Sequence, residues 1–340
     1  MRVKSSFGFS LVELMVALVI SSILMGGVLT IMSTSKKTYA LQSELSILQD
    51  NARFLIDELT YEIRMAGYAG CSSISAQQLN PFLNSKNDEL SAATGLPDGF
   101  PASDSLVVVN YGQLLPLQSD PPTPLQVPPL AQPIVLRDGF IPANPITQIF
   151  ISDCTIAPQP YTATVTIPPN DDNNEDNNII INSLEGPLKK FGGGIQFFNG
   201  RNETIYRVRH EPTLGLYRCQ DDNPDGECDD PQQFNLPFIE GVESMQVRYG
   251  INIDGNIRFV AAISQNNKVV AIRISLLMRT PNRRMDLNAT NENFYLDGSD
   301  EPYNPYEKNH QQETGYRHRL FTTTIAVRNA DTSSNADTSS

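Results

Sequence analysis

From Leu14 to Met32 the chain carries no charged side chain, with Arg2 and Lys4 before the run and Lys36 and Lys37 after it. Roughly 20 apolar residues at ~1.5 Å rise cross a bilayer core, so this pattern predicts a transmembrane helix over 9–32. Beyond it the periodicity changes. Leu41, Leu45, Leu48, Ala52, Leu55, Leu59 and Ile63 recur at steps of three and four, while Gln42, Glu44, Asp50, Arg53, Asp57, Glu58 and Glu62 occupy the other face. That is an amphipathic helix over 33–68. No proline occurs before Pro81, so one nearly continuous helix from about Phe9 to about Met65 is expected, ~85 Å long, with Gly26-Gly27 as its soft point. A coiled coil is the plain reading of such a stripe. Docking on a β-sheet of the chain's own head is the favoured one.

From Gly67 onward short β-type runs are divided by Pro, Gly, Asn and Asp. The expected strands are 105–110, 148–152, 162–167, 178–182, 204–209, 215–219, 244–249, 268–279 and 319–328. Alternation is clearest in Val270, Ile272, Ile274, Leu276 and in Phe321, Thr323, Ile325, Val327. Hairpin turns are expected at Asp254-Gly255-Asn256 and Asn266-Asn267. A long helix followed by many strands reads as α+β, with an antiparallel sheet packed on the helix. Three stretches read as long surface loops: the Pro-rich 116–145, the acidic 170–178 and the polar 282–316. The tandem copy Asn329-Ala-Asp-Thr-Ser-Ser334, Asn335-Ala-Asp-Thr-Ser-Ser340 cannot form a core and reads as a disordered tail. The head is thus 69–328 and the tail 329–340.

Composition narrows the classes. The 340 residues are 40% hydrophobic and 19% charged, enough apolar material for a core. With 25 Lys+Arg against 38 Asp+Glu the formal charge is −13, which argues against nucleic acid, whose binding needs clustered cations. His210, His310 and His318 are isolated, and no Ser, Cys or Asp stands at nucleophile spacing, so no catalytic residues are assigned and an enzyme is not expected. Lys189-Lys190-Phe-Gly-Gly-Gly194 lacks the phosphate-loop spacing and reads as a plain glycine turn.

Glu13 changes the picture most. A carboxylate inside an apolar helix costs several kcal/mol unless neutralised, which neither a secretory signal nor a plain anchor accommodates. Cleavage between Gly8 and Phe9 would make Glu13 the fifth residue of the mature chain, where a neighbouring subunit's new N-terminal ammonium can meet it. The run Gly8-Phe-Ser-Leu-Val-Glu-Leu-Met-Val-Ala-Leu-Val-Ile20, after a short basic leader over 1–8, resembles the prepilin-type N-terminus. The resemblance implies removal of the leader by the prepilin peptidase, N-methylation of Phe9, and Glu13 as the assembly residue. Loss of Arg2 and Lys4 would take the charge to −15.

Four further stretches resemble PilW-type minor pilins of type IV pili: Ile63-Arg-Met-Ala-Gly-Tyr-Ala-Gly-Cys71, Gly241-Val-Glu-Ser-Met-Gln-Val-Arg-Tyr-Gly250, Val270-Ala-Ile-Arg-Ile-Ser-Leu-Leu-Met-Arg279 and Phe321-Thr-Thr-Thr-Ile-Ala-Val-Arg-Asn329. The resemblance implies a pilin-like fold, an inner-membrane location with a periplasmic head before assembly, and a place on the surface pilus afterwards. It also implies partners: the major pilin, other minor pilins and a PilY-type adhesin at the tip, serving adhesion and twitching motility. A minor pseudopilin of a type II secretion system shares the leader and fold plan. A membrane-anchored binding protein that never polymerises is the alternative of a different class.

Four cysteines allow three pairings, and an oxidising periplasm favours disulfides. Cys219 and Cys228 enclose only 220–227 and are natural partners, leaving Cys71 with Cys154. In the same loop Asp221, Asn223, Asp225, Gly226, Glu227 and Asp229 match the first ligand positions of a calcium loop, although Gln232 stands where the bidentate Glu belongs. A solvated acidic turn is the other reading of these residues. A shift of melting temperature with millimolar calcium separates the two.

Overall fold

The computed structural model describes residues 10–66, 83–86, 103–121, 123–128, 130, 132–137, 139–142, 145–153, 159–167, 179–210, 212–221, 236–253, 255–261, 269–283, 292–296, 302–304 and 315–327. The expected helix is present as α1, Leu11–Met65. No proline interrupts it, it runs through Gly26-Gly27, and its first turn is closed by Leu14 N–H donating to the Ser10 carbonyl at 3.2 Å. Contact density divides the chain into Met1–Asp50 and Asn51–Ser340.

Within the second unit the chain builds antiparallel sheets. The strands of the largest are β1 (Leu83–Lys86), β2 (Ser105–Leu114), β4 (Ile134–Val135), β5 (Gln148–Ser152), β6 (Gln159–Thr166), β7 (Ile180–Glu185), β9 (Gln196–Arg209), β10 (Gly215–Asp221) and β11 (Ile239–Glu240). Their order is β1-β2-β9-β5-β6-β7-β4, with β10 on β9 and β11 on β10. β3 (Leu125–Val127) and β8 (Lys189–Phe191) form a small ribbon. A four-stranded sheet of β12 (Val242–Ile253), β13 (Asn256–Val260), β14 (Val269–Arg279) and β15 (His318–Ala326) runs in the order β13-β12-β14-β15. The α+β class holds, and the β12–β13 turn falls at Gly255, whose φ of 84° is why glycine stands there.

Four expectations are corrected. The stretch 116–145 is not an extended surface loop. It contributes β3, β4 and the Leu117–Leu136 bridge, and Leu125, Val127, Ile134 and Leu136 enter a second core with Ile149, Ile151, Tyr161, Ile181, Phe191 and Phe197. Prolines there interrupt the ladder while the apolar residues between them still find a buried face. Lys189–Phe191 is strand β8, not part of a glycine turn, because Phe191 is fully buried. The expected strand 204–209 is the end of the 14-residue β9, whose polar middle, Asn199 to Glu203, hides a continuous strand from a reading by hydrophobicity. The described parts of 282–316 also pack: Phe294 pairs with Tyr303 and Leu296 is buried. The loop 170–178, the Asn266-Asn267 turn and the tail 329–340 lie outside the described residues.

Candidate functional site

The first unit carries the apolar helix segment. None of the large apolar side chains from Leu11 to Met32 is less than 52% exposed, and the segment is long and apolar enough to cross a membrane. Its hydroxyl groups are satisfied within the helix: Ser22 Oγ donates to the Val19 carbonyl at 2.8 Å and Thr30 Oγ1 to the Gly26 carbonyl at 2.9 Å. Such bonds let serine and threonine sit in hydrocarbon at low cost. Glu13 lies in the first turn, exposed, where the helix dipole favours its charge. No side-chain partner accompanies it among the described residues.

The C-terminal end of the same helix belongs to the head. Ala52, Leu55, Leu59, Ile63 and Ala66 are at most 1% exposed, whereas Arg53, Phe54, Asp57, Tyr61 and Arg64 face outward. Burial of each Leu or Ile contributes about 1.5–3 kcal/mol relative to exposure. Polar contacts set the register. Arg218 of β10 donates to Glu58 at 2.9 Å, Asn110 of β2 donates to Glu62 at 3.2 Å, and Phe54 meets Phe238 at 5.6 Å between centroids. Arg218 also lies 4.5 Å from the Phe238 ring centroid. Burial first, then the Glu58 carboxylate one turn away, raises the pKa of Glu62. Burial likewise pushes the Tyr206 phenol above its ordinary value, with Glu62 adding to it. The amphipathic stripe therefore docks on a sheet of its own head, as the sequence suggested.

A second set of buried charges, missed by sequence reasoning, organises the four-stranded sheet. Glu243 and His318 are wholly buried and paired at 3.0 Å, and Arg279 approaches the same carboxylate oxygen at 3.6 Å. Phe294 covers the imidazole at 6.2 Å, and Tyr316 stacks on the Arg279 guanidinium at 4.0 Å. Register explains the meeting: Arg279 lies opposite His318 in the β14–β15 ladder, and a bulge in β12 between Val242 and Ser244 turns Glu243 toward them. Asp104 ties this sheet to β2. It accepts from the Val247 N–H at 2.8 Å and from Arg248 at 3.3 Å. Asp104 thus meets a cation and a backbone donor, and Glu243 a cation and the His318 ring, so both carboxylates tie strands of the head together.

Of the residues singled out in the sequence, Glu13 and Cys219 fall among the described residues with their side chains. Cys219 is buried in β10 and disulfide-bonded. Gly8, Phe9, Cys71, Cys154, Cys228, Asn223, Asp225, Glu227 and Asp229 lie outside the described residues, and of Asp221 only the backbone, at the end of β10, is described. The pairings Cys71–Cys154 and Cys219–Cys228 and the calcium loop thus stand as expectations.

An N-terminal helix apolar enough to cross a membrane, followed by antiparallel sheets, is an α+β plan consistent with a pilin-like fold. Two family models match it: the prokaryotic N-terminal methylation motif over residues 3–29, and the type IV pilus-assembly protein W family, PilW, over residues 211–329. The first spans Gly8, Phe9 and Glu13. The second takes in β10 to β15, and with them the Glu243–His318–Arg279 cluster. Both agree with the PilW-type, prepilin-like resemblance. A type IV-like pilin from Thermus thermophilus is similar in structure, at 13% identity, with 83% of this chain and 97% of that one covered and a TM-score of 0.32. No curated protein matches the chain in sequence.

Proposed function

We propose that this chain is a minor pilin of a type IV pilus, a structural subunit that primes filament assembly and sits at the tip with other minor pilins and a PilY-type adhesin. The observation that carries the reading is the conjunction on one chain of the methylation motif over 3–29 and the PilW match over 211–329. The apolar helix with Glu13 at its start supports it. In this reading the leader is cut between Gly8 and Phe9, Phe9 is N-methylated, and the helix holds the subunit in the inner membrane until assembly. Glu13 then meets the freed ammonium of a neighbour, so two groups costly in hydrocarbon neutralise each other. The PilW match favours the pilus over a type II secretion pseudopilin.

Mass spectrometry of the cell-derived protein should show a chain starting at methylated Phe9. Glu13→Ala should still be processed but should abolish piliation. An intact, unmethylated start, or full piliation with Glu13→Ala, would overturn the reading.

A further inference from the structure

Among the described residues, the last strand of the four-stranded sheet has no strand along its outer edge. β15 is nine residues long and has β14 on one side and no strand on the other among the described residues. Thr280 N–H donates to the Arg317 carbonyl at 2.9 Å, and Val327 N–H to the Val270 carbonyl at 3.1 Å. Between these two bonds the register runs unbroken from Arg279 opposite His318 to Ala271 opposite Ala326. In an antiparallel ladder hydrogen-bonded pairs alternate with pairs whose groups point away, so the odd-numbered residues of β15 bond β14. Leu320, Thr322, Thr324 and Ala326 turn their N–H and C=O groups outward. Ser275 and Thr322 confirm the phase, with hydroxyls 3.0 Å apart across the closely spaced pair.

Proteins usually blunt such an edge by keeping it short or by adding proline, lysine or a bulge. The other terminal strands of the described sheets follow that rule: β1 has 4 residues, β4 has 2 and β13 has 5. β15 is longer than these and carries no proline, lysine or register shift, and its one exposed charge, Arg319, stands at one end. Its Phe-Thr-Thr-Thr-Ile centre favours strand pairing strongly, and Thr322, Thr324 and Ala326 are exposed.

We propose that the outer edge of β15 is a docking site for an extended segment of a partner pilus subunit, added as a further antiparallel or parallel strand. A row of alternating N–H and C=O groups is matched in full only by another strand. Charge selects the occupant further. Arg319 is exposed at one end of the edge, and Arg317 precedes the strand at that end. The incoming segment therefore carries carboxylates facing Arg319. β15 contains no acidic residue, so a second copy pairing through its own β15 leaves the arginine uncompensated. The identity of the partner as a pilus subunit rests on the function proposed above.

Hydrogen–deuterium exchange tests it on the full chain in detergent, alone and in the complex purified with its co-encoded pilin-like subunits. Alone, the amides of Leu320, Thr322, Thr324 and Ala326 should exchange fast and those of Phe321, Thr323 and Ile325 slowly. In the complex the even-numbered set should slow by at least about tenfold. Thr322→Pro removes an outward donor without touching a β14 bond and should abolish that complex, whereas Thr322→Val should retain it. A complex that forms with the edge unprotected, or that tolerates Thr322→Pro, overturns the docking site while leaving the pilin reading intact. Failure of the chain to enter any pilus complex overturns the proposed function and this partner with it. Protection in the isolated chain overturns the proposal too: if it rises with concentration a second copy fills the edge, and if it does not the chain's own residues do.

Discussion

Glu62 shows how a single side chain reports the docking of helix on sheet. Its carboxyl is held above its usual range by burial and by Glu58, against the helping amide of Asn110. The folded state therefore binds this proton more tightly than the unfolded chain. The stability it contributes is complete below the unfolded carboxyl range and is lost as pH rises through the raised folded value. Glu62→Gln keeps an acceptor for Asn110 and should raise the melting temperature by about 1–3 °C at pH 7, with the gain vanishing near pH 4. Glu243 meets the His318 imidazole at 3.0 Å and the Arg279 guanidinium at 3.6 Å. Glu243→Leu should cost about 3–5 kcal/mol in denaturant unfolding, since Arg279 loses its counter-charge and the buried His318 ring its hydrogen-bond partner. Gly112 is constrained by space: a Cβ there would overlap the Asn199 carbonyl of the neighbouring β9. Gly112→Ala should unfold or severely destabilise the head, read as loss of a cooperative thermal transition.

At the scale of elements, α1 was the most legible part of the chain. Its charge-free run and its three-four stripe are local signals, and the described residues carry it as one helix, Leu11–Met65. The two faces of its last turns should respond oppositely to truncation. Leu59→Ala removes a fully buried side chain and should cost about 2–5 kcal/mol. Tyr61→Ala, at a position 63% exposed, should stay within about 0.5 kcal/mol. Equilibrium urea unfolding of both variants checks this pair. The strands were legible where they alternate, as in β14 and β15, and where a glycine turn closes them, as at Gly255. They were hidden where the apolar residues stand between prolines, as in β3 and β4, because two or three residues carry no measurable period. Yet Val127 and Leu136 are completely buried.

For the whole molecule, the segment apolar enough to cross a membrane and the buried core of the head lie in different parts of the chain. Full-length protein should remain in the membrane fraction through alkaline carbonate washing. Val19→Lys, which places a charge inside the apolar segment, should release a large share of it, given a cost of about 2.5–3.5 kcal/mol at a helix centre. The same substitution should leave the thermal transition of the head unchanged, because none of the apolar segment is buried within the protein.

The sequence by itself determined the apolar anchor, the acid at its start, the docking stripe and the α+β class, since each is a pattern within a few turns or one strand. Tertiary structure alone decided which distant residues meet: Glu58 with Arg218, Glu243 with His318 and Arg279, and the prolines' neighbours with Phe191 and Phe197. Those meetings depend on strand order and register, which a one-residue slip reverses. His318 looked isolated in the chain for that reason, and the open side of β15 became visible only once the other strands had taken their places.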